Sequence, residues 1–299
     1  MSTVNNPYVS IGLPVYNGEQ YLRETLDSIL AQTFTDFELI ISDNASTDNT
    51  EGICREYADR DKRISYYRNL KNIGAAGNYN RTFELSSGRY FKWAAHDDLI
   101  APEFLERCVA VLDSEPSVVV CYTREVCIDE KGQPLRKRGN LLNLRSSKPR
   151  ERFKEYHDLW YKRGFTHANQ CFALIKSSAL AKTPLIGSYV WSELALGAEL
   201  LLLGEFYEIP EYLFFFRYHE NTSRSTKKSR GYQQLAIWFD PKNRKKIILP
   251  QWKLFFQYLL AIKRVQMGWQ DKAQCYVQMG RWLSWKWKSL IKELIQGVV

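Results

Sequence analysis

The sequence predicts an α/β fold, a mainly parallel sheet flanked by helices and followed by a basic helical extension, and three observations carry that prediction. Over the first 130 residues, short β-branched or aromatic runs alternate with helical stretches, the pattern of βαβ units around a parallel sheet. Polar loops rich in Asn, Asp and Gly follow those runs. The last quarter then changes character. From Arg224 onward sixteen Lys and Arg face three Asp and Glu, so this segment carries a net +13 and residues 1–223 a net −4, against +9 for the whole chain. Six of the nine tryptophans also lie there. Basic residues interleaved with tryptophan point to an anionic surface as partner.

Taken in order, the expected strands of the first half are residues 8–13, 37–42, 63–67 and 90–94. Residues 18–32 place Tyr21, Leu22, Thr25, Leu26, Ile29 and Leu30 on one helical face. Asp48 with Glu51 three positions later resembles a capping box opening a helix over 49–58. Pro102 stands where a helix can begin, ahead of Phe104, Leu105, Cys108, Val109 and Leu112. Residues 118–128 read as a long strand, and Lys131-Gly132 as the turn to a hairpin partner over 134–136. The basic, polar residues 137–150 read as a mobile loop. A helix over 152–161, a strand over 170–175, a helix over 193–203 closed by Gly204 and an extended run over 206–218 follow. From Tyr276, apolar residues Met279, Leu283, Trp287, Leu290 and Leu294 recur at helical spacing, with Arg281, Lys286, Lys288 and Lys292 between them. Such a stripe either packs on the preceding domain or meets a membrane.

At 299 residues and 45% hydrophobic content the chain can bury a sizeable core. Its six cysteines form no CxxC pair, so a reduced, cytoplasmic chain without a zinc centre is expected. The polar start carries no signal-peptide pattern, and no apolar run reaches the roughly 18 to 20 residues of a membrane span.

In open α/β sheets ligands collect beyond the carboxyl ends of the parallel strands. Four polar loops fall there: 14–19 (PVYNGE), 43–48 (DNASTD), 69–74 (NLKNIG) and 96–98 (HDD). Singly, each has a plain explanation, since turns and helix caps favour Asn and Asp and adjacent acids often form a solvated turn. Asp97 and Asp98, however, follow an apolar aromatic strand, where like charges repel unless a cation or donor neutralises them. Oxygen ligands of this kind suit Mg²⁺ or Mn²⁺ bound with substrate phosphates.

With PVYNGE at 14–19, SDNASTD at 42–48, NxxNIG at 69–74 and HDDLIAPEFLE at 96–106, the chain resembles the family 2 glycosyltransferases of GT-A fold over roughly residues 8–220. The resemblance implies a Rossmann-like GT-A domain over 1–223, its nucleotide half about 1–115 and acceptor half about 116–223, before the extension 224–299. It implies an inverting transfer from a nucleotide-diphosphate sugar, UDP-, GDP- or dTDP-linked, to a hydroxyl of a glycan or lipid-linked acceptor. The nucleotide pocket would take Pro14, Val15, Tyr16, Asn17, Glu19, Asp43 and Asn72, with Asp43 at the base or ribose. The family's DxD signature falls on 96–98, where His96 replaces the first acid. That leaves Asp98 as metal ligand for Mn²⁺ or Mg²⁺ and Asp97 as ribose or second metal contact. Glu193, at the start of a helix where relatives carry Asp, takes the place of the general base, with Glu199 as a structural rival. Arg217, His219 and Arg224 correspond to a closing loop that meets the diphosphate, His219 also the metal.

Other readings have sequence tests of their own. A nucleotidyltransferase needs a Gly-rich basic phosphate loop after strand one, and residues 14–19 hold no Lys or Arg. A non-catalytic sugar-nucleotide module fits the missing first acid but not the retained Asp98 and Glu193. A nucleic-acid binder rests on the basic end alone, with no accompanying motif, so no nucleic acid is expected as partner. An anionic membrane surface is the partner expected for residues 225–299.

Overall fold

The computed structural model describes residues 6–139, 143–163, 169–220 and 223–297. Its elements run β1 (Val9–Val15), α1 (Leu22–Leu30), β2 (Phe37–Asp43), α2 (Thr50–Arg60), β3 (Ile64–Arg68), α3 (Ala75–Glu84), β4 (Tyr90–Trp93), β5 (Leu99–Ile100) and α4 (Phe104–Ser114). The second half contributes β6 (Val118–Ile128), β7 (Pro134–Arg138), α5 (Pro149–Arg163), β8 (Leu174–Lys176), α6 (Ser177–Leu180), α7 (Ser192–Leu203) and β9 (Glu205–Arg217). The extension forms α8 (Ser223–Phe239), α9 (Pro250–Arg264) and α10 (Trp269–Gly297).

One sheet of order β3-β2-β1-β4-β8-β6-β9-β5, with β7 on β6, organises the chain. Its first half is parallel, as the alternating pattern predicts, with Val15 beside Asp43 and Asp43 beside Arg68 at the carboxyl edge. Every residue of β1 is buried, as a strand covered on both faces requires. The second half is mixed: β8 runs antiparallel to β4 and β6, while β6 and β9 are parallel over their length. One core, on one face of the sheet, joins Ile11, Leu13, Leu39 and Ile41 to α1, α2 and α4. The other joins Phe91, Trp93 and Val120 to α5, α7, α9 and α10, through Phe153, Leu201, Phe255, Ile262, Met279 and Trp282. The extension thus shares a core with the sheet.

Several local expectations shift. The first helix begins at Leu22 rather than residue 18 because the preceding residues make a turn in which Asn17 takes φ 51°, a left-handed conformation that Asn tolerates. Asp48 does not form a capping box with Glu51. Its carboxylate accepts from the Thr50 and Glu19 amides, while Glu51 is drawn to Arg55 and Arg68. Of the loop expected over 137–150, β7 and α5 claim the ends, and residues 140–142 lie outside those described. The strand expected over 170–175 splits into a 3-10 turn (Asn169–Phe172) and the short β8. In α10 the apolar stripe divides: Met279 and Leu290 are buried, whereas Tyr276, Trp287 and Leu294 are exposed. Among the described residues no helix is long and apolar enough to cross a membrane.

Candidate active site

Three loops at the carboxyl edge of the sheet are fastened to one another by short polar contacts. The Asn17 side chain accepts from the Thr47 amide at 2.9 Å, and the Asn17 and Gly18 amides donate to Ser46 Oγ and Thr50 Oγ1. Glu19 accepts from the Asn49 amide at 2.8 Å. Asn72 Oδ1 accepts from Asn44 Nδ2 at 3.0 Å, and Asn44 in turn holds the Ile73 amide and Asn69. At Gly74 φ is +84°, and a Cβ there would stand 2.5 Å from the Phe239 carbonyl oxygen, so only glycine lets α8 close over this loop.

These loops open into a cavity of about 1090 Å³ lined by Pro14, Val15, Tyr16, Asn17 and Asn72 on one side and by Asp97, Asp98, His219 and Glu193 on another. Aromatic residues from distant helices complete the wall: Trp160 and Tyr161 from α5, Trp191 before α7, and Trp282 and Trp285 from α10, with Tyr161 and Trp285 stacked at 4.3 Å. Asn44, Asn78 and the aromatic wall are site residues that the sequence reading missed. Asn44 belongs to the second polar loop, and Asn78 lies on the first turn of α3, just past the third loop. The aromatic wall has no local signal.

Asp98 is buried, with Oδ1 accepting from the Arg217 amide at 2.9 Å and Oδ2 lacking any hydrogen-bond partner. Burial first, and the neighbouring Asp97 charge second, raise its carboxyl well above the usual carboxylate range. Burial also works against ionisation of Asp97, but the nearby His96 and the 2.8 Å bond from His219 Nε2 outweigh it and hold that carboxyl low. Among the described residues no set of three His, Cys, Asp or Glu is preassembled around a metal position. A buried carboxylate oxygen without a donor, beside a second carboxylate and an imidazole, nevertheless fits a hard divalent cation that takes its remaining ligands from water and phosphate. Glu193 sits in the first turn of α7, lining the cavity. The preceding Trp191 takes φ 67°, an uncommon conformation for so bulky a residue and a mark of local strain. Glu199, six residues on, is buried in a two-pronged pair with Arg264 at 2.9 and 2.6 Å and does not line the cavity.

Three other expected contacts lie elsewhere. Asp43 is fully buried and its oxygens are taken by the Ser46 amide, Tyr66 Oη and Arg68 at 2.9, 2.8 and 2.7 Å, so it shapes the loop from within. Arg217 is likewise buried, donating to Glu24 and to the carbonyls of Asp97 and Glu130 with its guanidinium over Tyr21. That network leaves the guanidinium aimed at protein rather than at the cavity, and its backbone amide is what reaches the acidic pair. Glu19 spends its carboxylate on the Asn49 amide. The side chain of Arg224 lies outside those described.

A family model described as "Glycosyl transferase family 2" matches residues 10–183. An uncharacterised glycosyltransferase of Rickettsia typhi is 38% identical over 131 residues, 44% of this chain and 40% of its own length, so the chain spans well under half of that relative. Among solved structures, S. aureus TarS 1–349 is similar at TM-score 0.66 and 16% identity, over 97% of this chain and 80% of that one. A mannosyltransferase from Pyrobaculum calidifontis, solved with GDP-Man and Mn²⁺, is similar at TM-score 0.54 and 16% identity over 99% and 87%.

Proposed function

Since the chain belongs to glycosyl transferase family 2 and has the GT-A fold, we propose that it transfers a sugar, with inversion, from a nucleotide-diphosphate donor to an acceptor hydroxyl, with Glu193 as general base. The observation that carries this reading is that one cavity is lined by the residue 14–17 loop, the Asp97–Asp98 pair and Glu193 together. In the proposed reaction the interlocked loops hold the nucleoside, and Asp97 and Asp98 face the diphosphate. The acceptor oxygen bonds to the anomeric carbon as the bond from that carbon to the diphosphate breaks. Glu193 takes the hydroxyl proton, and the nucleoside diphosphate leaves. A Mg²⁺ or Mn²⁺ ion held by Asp98 and Asp97, with His219 in reach, would offset the charge that grows on the leaving diphosphate. The Pyrobaculum calidifontis enzyme, solved with GDP-Man and Mn²⁺, supports a nucleotide sugar and a divalent cation as this chain's ligands.

The flat rings of Trp160, Trp191 and Trp285 offer apolar faces on which an acceptor sugar can stack, which favours a glycan or glycolipid acceptor. We extend the proposal to an acceptor held at a membrane, since the extension from 225 to 299 is strongly basic and tryptophan-rich. The test is a thermal-shift panel of UDP, GDP, dTDP and their sugar conjugates with and without Mn²⁺, followed by transfer assays with the donor it identifies. The reading expects stabilisation by one nucleotide family, and a Glu193→Gln protein that still binds donor but transfers at least roughly a hundredfold more slowly. No stabilisation by any of them, or full transfer by Glu193→Gln, refutes it.

A further inference from the structure

The 29-residue helix α10 has three distinct sectors. Cys275, Gln278, Met279, Trp282 and Leu290 are buried against the body of the protein. At about 100° of rotation per residue, Tyr276, Val277, Trp287, Ile291, Leu294 and Ile295 fall together in a second sector about 100° wide, and every one is exposed, Trp287 by 53% and Ile295 by 64%. Arg281, Lys288 and Lys292, all exposed, fall side by side in the third, next to that apolar sector. From Tyr276 to Ile295 the apolar sector runs roughly 29 Å along the helix. Both acids of the helix are turned to neighbouring elements instead. Asp271 pairs with Arg150 at 2.8 Å, and Glu293 accepts the Gln251 amide at 3.0 Å.

We propose that this outward sector of α10 lies in the interface of an anionic lipid bilayer, parallel to its plane, with Trp287, Ile291 and Leu294 among the acyl boundary and Arg281, Lys288 and Lys292 at the headgroups. The inference sharpens the membrane part of the function proposed above and is independent of the transfer chemistry. An exposed apolar sector beside an all-basic one is the surface that interfacial helices present. Charge selects the occupant. A second copy docked through this sector would bring its own Arg281, Lys288 and Lys292 against theirs with no acid of α10 to answer them, whereas anionic headgroups supply that charge. Because the opposite side of the same helix carries Trp282 and Trp285 to the cavity wall, a seated helix would hold the cavity close to the lipid surface.

The experiment uses the full-length protein with vesicles of phosphatidylcholine alone or with about one third phosphatidylglycerol. Binding is read by co-sedimentation at low and high salt, since headgroup attraction is screened. Wild type should pellet with the anionic vesicles and be released by salt. A Trp287→Ser/Ile291→Ser double variant should partition at least about tenfold less, and Lys288→Glu/Lys292→Glu should lose about as much at low salt. Each variant must match wild type in melting temperature, which these exposed positions permit. Donor-induced thermal shifts, measured on the same variants, should be unchanged, so loss of vesicle binding is separable from any failure of the proposed transfer. The proposal is overturned if wild type stays in the supernatant with anionic vesicles at low salt, or if both variants pellet as wild type does. It is also overturned if light scattering shows a wild-type dimer that Trp287→Ser/Ile291→Ser dissociates without any vesicle binding, which assigns the face to a second copy.

Discussion

His157 offers a test of the cavity wall that needs no substrate. It lies on α5, 1% exposed, packed between the rings of Phe153 and Tyr258, with Nδ1 bonded to the Phe153 carbonyl at 2.8 Å and Nε2 without a partner. Burial drives its pKa from 6.5 down to about 4, against the Phe153 bond and the Asp158 charge, which pull upward. The unfolded chain therefore binds the proton more readily, and stability is complete above about pH 6.5 and declines as pH falls from there towards 4. The full shift corresponds to about 3 kcal/mol, of which about 2 kcal/mol is lost on going from pH 7.5 to pH 5. Urea unfolding of wild type and His157→Phe at those two pH values measures it. The pH-dependent loss in wild type should exceed that in the variant by about 2 kcal/mol, since every other titrating group is common to both. Equal losses would mean that the imidazole titrates in the native state as it does in the unfolded chain, solvated rather than buried, and the described wall would be wrong at that point.

Asp98→Asn should abolish the dependence of nucleoside-diphosphate affinity on Mn²⁺ in calorimetry, whereas His96→Ala should leave most of it. Unchanged metal dependence in Asp98→Asn removes Asp98 from the metal site. Glu199→Gln should lower the urea midpoint by the equivalent of about 2 kcal/mol through its weakened pairing with Arg264, while donor binding and transfer persist. An inactive but stable Glu199→Gln protein, beside an active Glu193→Gln, would exchange the two roles. Gly74→Ala should cost about 1–3 kcal/mol in chemical denaturation and weaken donor binding, because the left-handed backbone and the Phe239 carbonyl both oppose a methyl group. Wild-type values on both counts would show that α8 does not press on the loop as described.

The parallel half of the sheet was legible because β1, β2 and β4 are dense apolar or aromatic runs bounded by polar loops, so pattern and burial agree. Residues 170–175 were not: a short apolar run carries no period that separates strand from turn, and only pairing with Phe91 and Val120 selects Leu174–Lys176. The two residues of β5 exist through Phe214 and Phe215 of β9, more than a hundred positions away. In the site, Asn17, Asn72 and the Asp97–Asp98 pair announce themselves as polar loops after strands. The internal role of Asp43 depends on Tyr66 and Arg68 from the next strand, and no local pattern reveals that its oxygens are already taken. Arg217 misleads in the same way, since Glu24, 193 positions earlier, claims its guanidinium. Glu199 is the converse, its apolar setting on α7 pointing to a structural partner that Arg264 supplies.

The core that α10 shares with β4 has a temporal side. Phe91 and Trp93 leave the ribosome nearly two hundred residues before Leu290, and at typical synthesis rates that is on the order of 10–40 s. Through most of that interval the core on that side of the sheet has α5 and α7 but lacks the residues of α9 and α10 that complete it, Phe255, Ile262, Met279 and Trp282 among them, and the uncovered remainder is a target for chaperones and for association with other nascent chains. Cutting the chain near residue 226 would make that transient condition permanent. Substitutions on the outer sector of α10, rather than truncation, are therefore the way to separate lipid contact from folding.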